Sequence, residues 1–499
     1  MFDLSSFSDN KLRYWTMVLT IALSILGLVV LLSSSIGKEA EMHRSLAPAA
    51  TQLIAWIAGM SAMYVLNRCG SIGKIRSLLV WPLTLLTFAL LIWAGWFSEA
   101  INDVHRWISY KWVSFQPSEL AKLGLIFFWA DCLSRNSSEL IRISNPGSRL
   151  RTKKKRSAFG LSVKSFCIEL IGGIWRFLVI CKIPLIVTFV YVVLFERGSD
   201  MGTSFLMSVV ILFMIFMVGF SRKVMFTLAA VIFFVVLNAV LYLDGINVSH
   251  LQNNAIENYR VKRMVGWRHL DYDPEGVNYQ VHNALAAISC GGLFGVGIPY
   301  SLSKFNFVPE MHCDFIYSIF AEEMGLLGVL GMFGFFFALG VFGFTIANRS
   351  KSEFLSLAAF GITAQIICQL LYNVSVVTGL APNKGLPLPF LSHGGSSLLM
   401  SFISVGILLN IIHHNESGDK CIEEKQSKKK GASIAVTSDS SYEQHDNISG
   451  DDSGDAWEAA SAPLDNTAVY NALPKPPIRC CSWSSEDLRQ LRRSGKAGK

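Results

Sequence analysis

Runs of about 20 apolar residues, the length needed to cross about 30 Å of hydrocarbon, recur along residues 14–413 of this chain. Ten stand out, near 14–36, 49–67, 78–98, 117–133, 177–196, 203–220, 224–243, 315–346, 354–378 and 397–413. Of the 499 residues, 52% are hydrophobic and only 16% are charged, against about 25% charged in soluble domains. Such a chain has no way to hide its apolar surface from water. The pattern predicts an all-α polytopic membrane protein of about ten transmembrane helices. Its segments would be a cytoplasmic N-terminus at 1–13, a membrane domain at 14–413 and a tail at 414–499. Too much membrane sequence follows the first run for it to be a cleaved secretion signal.

Lys and Arg in the short loops set the expected orientation. Lys11 and Arg13, Arg68, Lys74 and Arg76, the stretch "SRLRTKKKRS", Arg222 and Lys223, and Arg349 and Lys351 fall on one alternating side. The positive-inside rule makes that side cytoplasmic, with both termini there. The segments 99–116, 244–314 and 379–396 then face outside, and 244–314 becomes a long extracytoplasmic loop between helices 7 and 8. The net charge of +8 is mostly accounted for by the cytoplasmic loops and gives no reason to expect nucleic acid. After residue 414 the sequence turns polar and rich in Ser, Gly and charge, which predicts a disordered cytoplasmic tail. Ten cysteines show no CxxC or Cys/His spacing, so neither a metal site nor a disulfide framework is indicated.

The segments expected outside carry the unusual residues. In "HRWISYKWVSFQPSELAKLG", Pro117 suits a first helical turn, and Glu119 and Lys122 stand three apart on one helix face. They form either a structural ion pair or part of a substrate-lining surface. In "LFERGSDMG", Glu196, Arg197 and Asp200 read as a helix-anchoring network. Arg260, Lys262, Arg263 and Arg268 make a basic group on the long loop. That is the wrong sign for topology and the right one for phosphate, which Arg grips with a bidentate fork. The Pro- and Gly-rich "GLAPNKGLPLPFLSHGGSS" reads as a re-entrant connection with Lys384 as its cation. Backbone of that kind is tolerated at membrane depth only inside protein or beside a wet cavity. Gly394, Gly395, Ser396 and Ser397 either expose backbone N–H groups to an anion or simply turn and cap the last helix.

Four acids, Glu310, Asp314, Glu322 and Glu323, mark the start of the apolar run at 315. At 100° and 1.5 Å per residue, Glu322 lies about 80° and Glu323 about 180° around the helix from Asp314, both about 12 Å or more along it. Neither can pair with Asp314 in catalysis; each is expected to meet a cation such as Lys122 or a polar group inside the bundle. Glu310, in the preceding loop, would orient the region or help hold a divalent ion, and His312 bonds either backbone or substrate.

The motifs "RWI…FQPSELAK", "YQ…GGLFGVG", "VPEMHCDFIYSIFAEEMGLLG" and "NKGLPLPFLSHGGSS" occur in that order and resemble the signatures of the SEDS (shape, elongation, division and sporulation) family, the FtsW/RodA proteins, over residues 12–414. Lys384-Gly385 looks more like the FtsW branch, which would make the role septal. The resemblance implies the SEDS fold in the bacterial inner membrane. It implies a peptidoglycan glycosyltransferase that polymerises lipid II into a nascent glycan strand beside a class B penicillin-binding protein transpeptidase and other divisome proteins. The family's essential aspartate falls on Asp314. Cys313, Val296, Asn383 and His393 depart from the residues usual at their positions, and Val296 leaves the glycine-rich segment without a lysine to grip pyrophosphate.

Chemistry supports the same assignment. Joining sugars from a polyprenyl diphosphate needs a base for the acceptor hydroxyl and positive charge, or a metal, at the departing diphosphate. Asp314 is the candidate catalytic base. Arg106, Arg260, Arg263 and Lys384 are the candidate cations, with Trp107, Lys122, Glu310, His312 and Ser396 as further substrate contacts. Glu119, Asp200, Glu322 and Glu323 are assigned to a structural polar network. A divalent cation, Mg²⁺ or Mn²⁺, is an expected companion of the diphosphate, and no organic cofactor is expected. A lipid II flippase or a non-catalytic division scaffold would share the architecture without needing a base at 314.

Overall fold

The computed structural model describes residues 7–36, 47–70, 72–98, 105–110, 113–144, 175, 177–218, 259–270, 273, 276–301 and 313–415. Its helices are α1 (Asp9–Ile36), α2 (Ala47–Arg68), α3 (Arg76–Phe97), α4 (Pro117–Ser144), α5 (Lys182–Arg197), α6 (Met201–Met217), α7 (Tyr259–Arg268) and α8 (Tyr279–Gly291). They are followed by α9 (Ile316–Arg349), α10 (Glu353–Val377) and α11 (Gly395–Asn415). Nine of the ten expected spans fall on these helices; the run at 224–243 and the tail lie outside the described residues. Among the described helices, five are long and apolar enough to cross a membrane, including α9, α10 and α11.

Pro117 does open α4 as its first residue. Before it, the chain makes a hairpin of β1 (Ile108–Tyr110) and β2 (Val113–Phe115), antiparallel, with Ile108 opposite Phe115. The reading of the chain as helical throughout omitted this small ribbon. Three residues per strand are too few to show an alternating apolar pattern.

Helix α10 is the hub, packed against α4, α6 and α9. Within lipid no hydrophobic force drives helices together, so close packing has to supply the association, and small residues permit it. Ala358, Ala359, Gly361 and Ala364 are buried on α10. Its buried amides, Gln365, Gln369 and Asn373, recur every four positions and so share one face.

Helix α9, expected as one continuous span, is broken at Gly325, where φ is 65° and ψ is −170°. The glycine-rich segment after α8 docks into the break. The N–H groups of Val296 and Gly297 donate to the carbonyls of Glu322 and Glu323 (2.9 and 3.1 Å), and the N–H groups of Leu326 and Leu327 donate to the carbonyls of Gly292 and Leu293 (3.0 and 3.2 Å). Four backbone groups at the break thus find partners, as buried backbone requires. Two glycines make this possible. A Cβ on Gly295 (φ 80°) would collide with the Glu323 carbonyl, and one on Gly325 with the Gly295 nitrogen. The "GGLFGVG" motif is therefore a backbone splice, which is a sufficient reason for its glycines without any phosphate.

Replacing Gly325 or Gly295 by Ala should lower the thermal unfolding midpoint in detergent, because a side chain in such a region costs about 1–3 kcal/mol before any collision. The double mutant should lose less than the sum of the two, since both changes break one contact; additive losses would contradict the splice.

Candidate functional site

The connection from α10 to α11, residues 378–394, is irregular backbone whose carbonyls need donors. Side chains from three helices provide them. Trp267 Nε1 of α7 donates to the Gly379 carbonyl (3.1 Å), and an Arg263 guanidinium N–H to that of Asn383 (3.2 Å). From α10, Asn373 Nδ2 donates to the Leu386 carbonyl (2.7 Å) and Gln369 Nε2 to that of Pro387 (2.7 Å). Gln52 of α2 donates to the Ser392 carbonyl (3.1 Å) and accepts from the Gly394 N–H (3.2 Å).

Asp314, half-buried, sits two residues before α9 and against this connection. A Cβ on Gly385 would coincide with its carboxylate, so any residue but glycine at 385 would displace the acid. The second Nδ2 hydrogen of Asn373 goes to the Asp314 carbonyl (2.9 Å). Three consecutive residues of the connection therefore gather the charged groups: Asn383 accepts from Arg263, Lys384 brings its ammonium, and Gly385 abuts Asp314. Lys384 Nζ donates to the carbonyl of Ser199 (3.0 Å), a residue in a left-handed conformation with φ 55°. The adjacent Gly198 lies 3.6 Å from the Arg106 side chain when given a Cβ. Arg106 lines a cleft with Leu91, Leu194, Ser118 and Asp200, and its buried Nε has no hydrogen-bond partner among the described residues. Trp107 follows it, half-buried.

Lys122 takes no part in this gathering. Its side chain is 1% exposed, and Nζ lies 3.0 and 2.9 Å from the two carboxylate oxygens of Glu119 and 2.9 Å from Gln369 Oε1. Of the two readings of this pair, the ion pair is present, with Lys122 held between Glu119 and Gln369. Among the described residues it reaches the connection through Gln369 and Pro387. Asp200 caps α6 by accepting from the Thr203 N–H (3.3 Å) and hydroxyl (2.8 Å), and it also accepts from Ser118 (2.8 Å).

Ser396 stands at the start of α11. Its hydroxyl accepts from the Gln116 N–H (3.3 Å), and the neighbouring Gly394 N–H is taken by Gln52. The start of α11 is thereby committed to α2 and to the approach to α4, which favours the turn-and-cap reading over an anion site. Glu322 and Glu323 meet hydroxyls and not Lys122: Ser301 donates to Glu322 (2.7 Å) and Ser33 to Glu323. The reason is occupancy, since Lys122 is already satisfied by Glu119.

Of the basic group on the long loop, Arg263 reaches the connection, while Lys262 pairs with Asp273 (2.8 Å). That hydrogen bond, more than any other influence, holds the Asp273 carboxyl below its ordinary value, with burial opposing it. The stabilisation is in force above the unfolded carboxylate value and is lost as pH falls through the lowered one. Arg260 occupies α7 one turn before Arg263; its side chain, together with Glu310 and His312, lies outside the described residues. Among the described residues no group of three His, Cys, Asp or Glu side chains is placed to hold a metal.

The residues missed from the sequence are the amides, Gln52, Gln365, Gln369 and Asn373. The signal was there in the four-residue spacing of the last three within an apolar run, a polar stripe that needs a purpose in a membrane helix.

Residues 14–417 match the profile of a family described as cell cycle protein, comprising FtsW, RodA and SpoVE. A protein of Geobacter metallireducens named probable peptidoglycan glycosyltransferase FtsW is 30% identical over 398 residues, 79% of this chain and 93% of that one. Its namesake from Neisseria gonorrhoeae is 33% identical over 338 residues, 66% and 68% of the two chains. Among solved structures, a chain from one described as "Structural coordination of polymerization and crosslinking by a peptidoglycan synthase complex" shares the fold with a TM-score of 0.58 at 22% identity, over 81% of this chain and 98% of that one. A point mutant of the rod shape determining protein RodA from Thermus thermophilus gives 0.50 at 21% identity, over 80% and 96%.

Replacing Lys122 by Met should destabilise the protein by about 3–5 kcal/mol, because Glu119 is left as a buried, uncompensated charge. Adding Glu119→Gln should restore most of the loss in detergent melts; a double mutant no better than Lys122→Met would contradict the pairing.

Proposed function

We propose a mechanism from the premise that this chain belongs to the family of FtsW, RodA and SpoVE cell cycle proteins. It is a multi-pass membrane protein and a peptidoglycan glycosyltransferase, the activity carried in the names of its relatives. Its substrate is taken to be lipid II, and its role the division wall. The observation that carries the mechanism is the meeting of Asp314 with the segment Asn383–Lys384–Gly385, which also draws in Arg263.

Asp314 accepts the proton of the acceptor sugar hydroxyl as that oxygen attacks the anomeric carbon of the donor. The bond to the polyprenyl diphosphate breaks in the same displacement, which inverts an α-linked donor into a β-linked strand. Inverting glycosidases usually employ a second carboxyl to protonate the leaving group; diphosphate departs as a stable anion and needs none. Lys384 and Arg263, both held at the connection on which Asp314 rests, and Arg106 are the groups that would offset the charge developing on it. A Mg²⁺ or Mn²⁺ ion fits this donor set as one shared between a single carboxylate and substrate phosphates. Asp314 would hold it, having lone pairs enough for both an ion and a proton, and the ion when bound would add positive charge at the diphosphate.

The likeness to a chain of a complex that couples polymerization to crosslinking supports a transpeptidase partner, a class B penicillin-binding protein. The Lys and Arg distribution supports cytoplasmic termini and an active site on the outer face. Cys290 and Cys69 are both exposed, so a membrane-impermeant maleimide added to intact spheroplasts should label Cys290 and spare Cys69. The reverse pattern would invert the topology.

The decisive assay is glycan polymer formed from lipid II by the full chain with its partner. Asp314→Asn should lower turnover by about 10²–10⁴-fold, the usual contribution of a positioned base, at equal folded yield. Equal polymer from both proteins would remove Asp314 from the role, whereas lipid II transport without polymer would favour a flippase.

A further inference from the structure

We infer that Asn373 is a positioning residue for the reaction: it holds the Asp314 turn and the Lys384–Gly385 segment in register, so that base and cations meet. The inference rests on the role proposed for Asp314.

Asn373 lies on α10, 2% exposed. Both hydrogens of its Nδ2 are used, one on the Asp314 carbonyl (2.9 Å) and one on the Leu386 carbonyl (2.7 Å). The two acceptors belong to segments 72 residues apart by their numbers. One bears the carboxylate at 314; the other begins one residue after Gly385, the glycine on which that carboxylate rests. A single amide on the bundle's central helix therefore ties the base's own backbone to the backbone it packs on. Its Oδ1 is buried and has no hydrogen-bond partner among the described residues. An unmade bond on a buried acceptor costs free energy, so the orientation of this amide is dictated by its two donor contacts.

The next amide along the face, Gln369, marks the contrast. It donates to Pro387 and accepts from Lys122 (2.9 Å) and Gln365 (3.1 Å), holding the connection without touching the Asp314 turn. Asn373 spans both. Leucine there keeps nearly the same volume and supplies no donor, which frees the two carbonyls to drift apart.

The test compares wild type, Asn373→Leu, Asn373→Ser and Asp314→Asn as full chains with the transpeptidase partner and lipid II, per folded molecule. In Asn373→Leu, kcat should fall by about 10- to 100-fold, as expected when a reacting group moves by about 1 Å. KM should stay within about twofold, as for a contribution made only in the transition state. Independently of activity, Cys313, half-exposed and next to Asp314, reports on the turn. Its rate of alkylation by a small maleimide, read by peptide mass spectrometry, should change in the variant while that of Cys290 does not. A merely structural Asn373 would lower folded yield and leave kcat per folded molecule and the Cys313 rate unchanged, and that result overturns the proposal. Should Asn373→Leu not fold, Asn373→Ser, which keeps at most one of the two bonds, decides by the same readouts. Full activity in Asp314→Asn would defeat the base assignment itself. The Cys313 rate would still show whether Asn373 holds the turn.

Discussion

A buried carbonyl must have a donor, and much of this protein is arranged to satisfy that demand along one stretch of irregular chain. The connection between α10 and α11 contains three prolines, which cannot donate, and its path leaves carbonyls at 379, 383, 386, 387 and 392 facing neighbouring helices. Membrane-buried backbone of this kind persists only when protein supplies the partners. Tryptophan, arginine, asparagine and glutamine side chains from α2, α7 and α10 do so, each crossing to the connection from a regular helix. The bonds made to the backbone of the connection help to set the position of Lys384 and, through Gly385, that of Asp314.

The charges fall into two populations. Glu119 and Lys122 neutralise each other in the bundle and brace the connection from behind through Gln369. Arg263 and Lys384 donate to carbonyls, contacts that hold each cation at the connection. The buried pair serves rigidity.

The spans and the helix start at Pro117 were legible because apolar length and proline geometry are local properties. So was the singling out of Asp314, Arg263 and Lys384, which are unusual residues in segments that need a reason for them. The destination of Lys122 was not legible in advance. Its spacing from Glu119 allows a pair, but only the fold shows Glu119 and Gln369 together closing on it. The break at Gly325 was hidden for a different reason. Hydropathy runs straight through it, and glycine occurs often enough in membrane helices that one more carries little information. The amide face of α10 showed in its spacing, yet its meaning lies in carbonyls that are close in space and remote along the chain.

Gly325 has a mechanical consequence. A continuous α9 would let Asp314 inherit its bearing from the whole 34-residue helix, and each tilt of that helix in the lipid would swing the carboxylate as the tip of a lever. The break, with its ends sutured to the segment after α8, makes the turns from Ile316 to Met324 a short bracket keyed to α8 and α10. The remainder of the helix can then ride with the thickness and tension of the bilayer while the carboxylate keeps its aim.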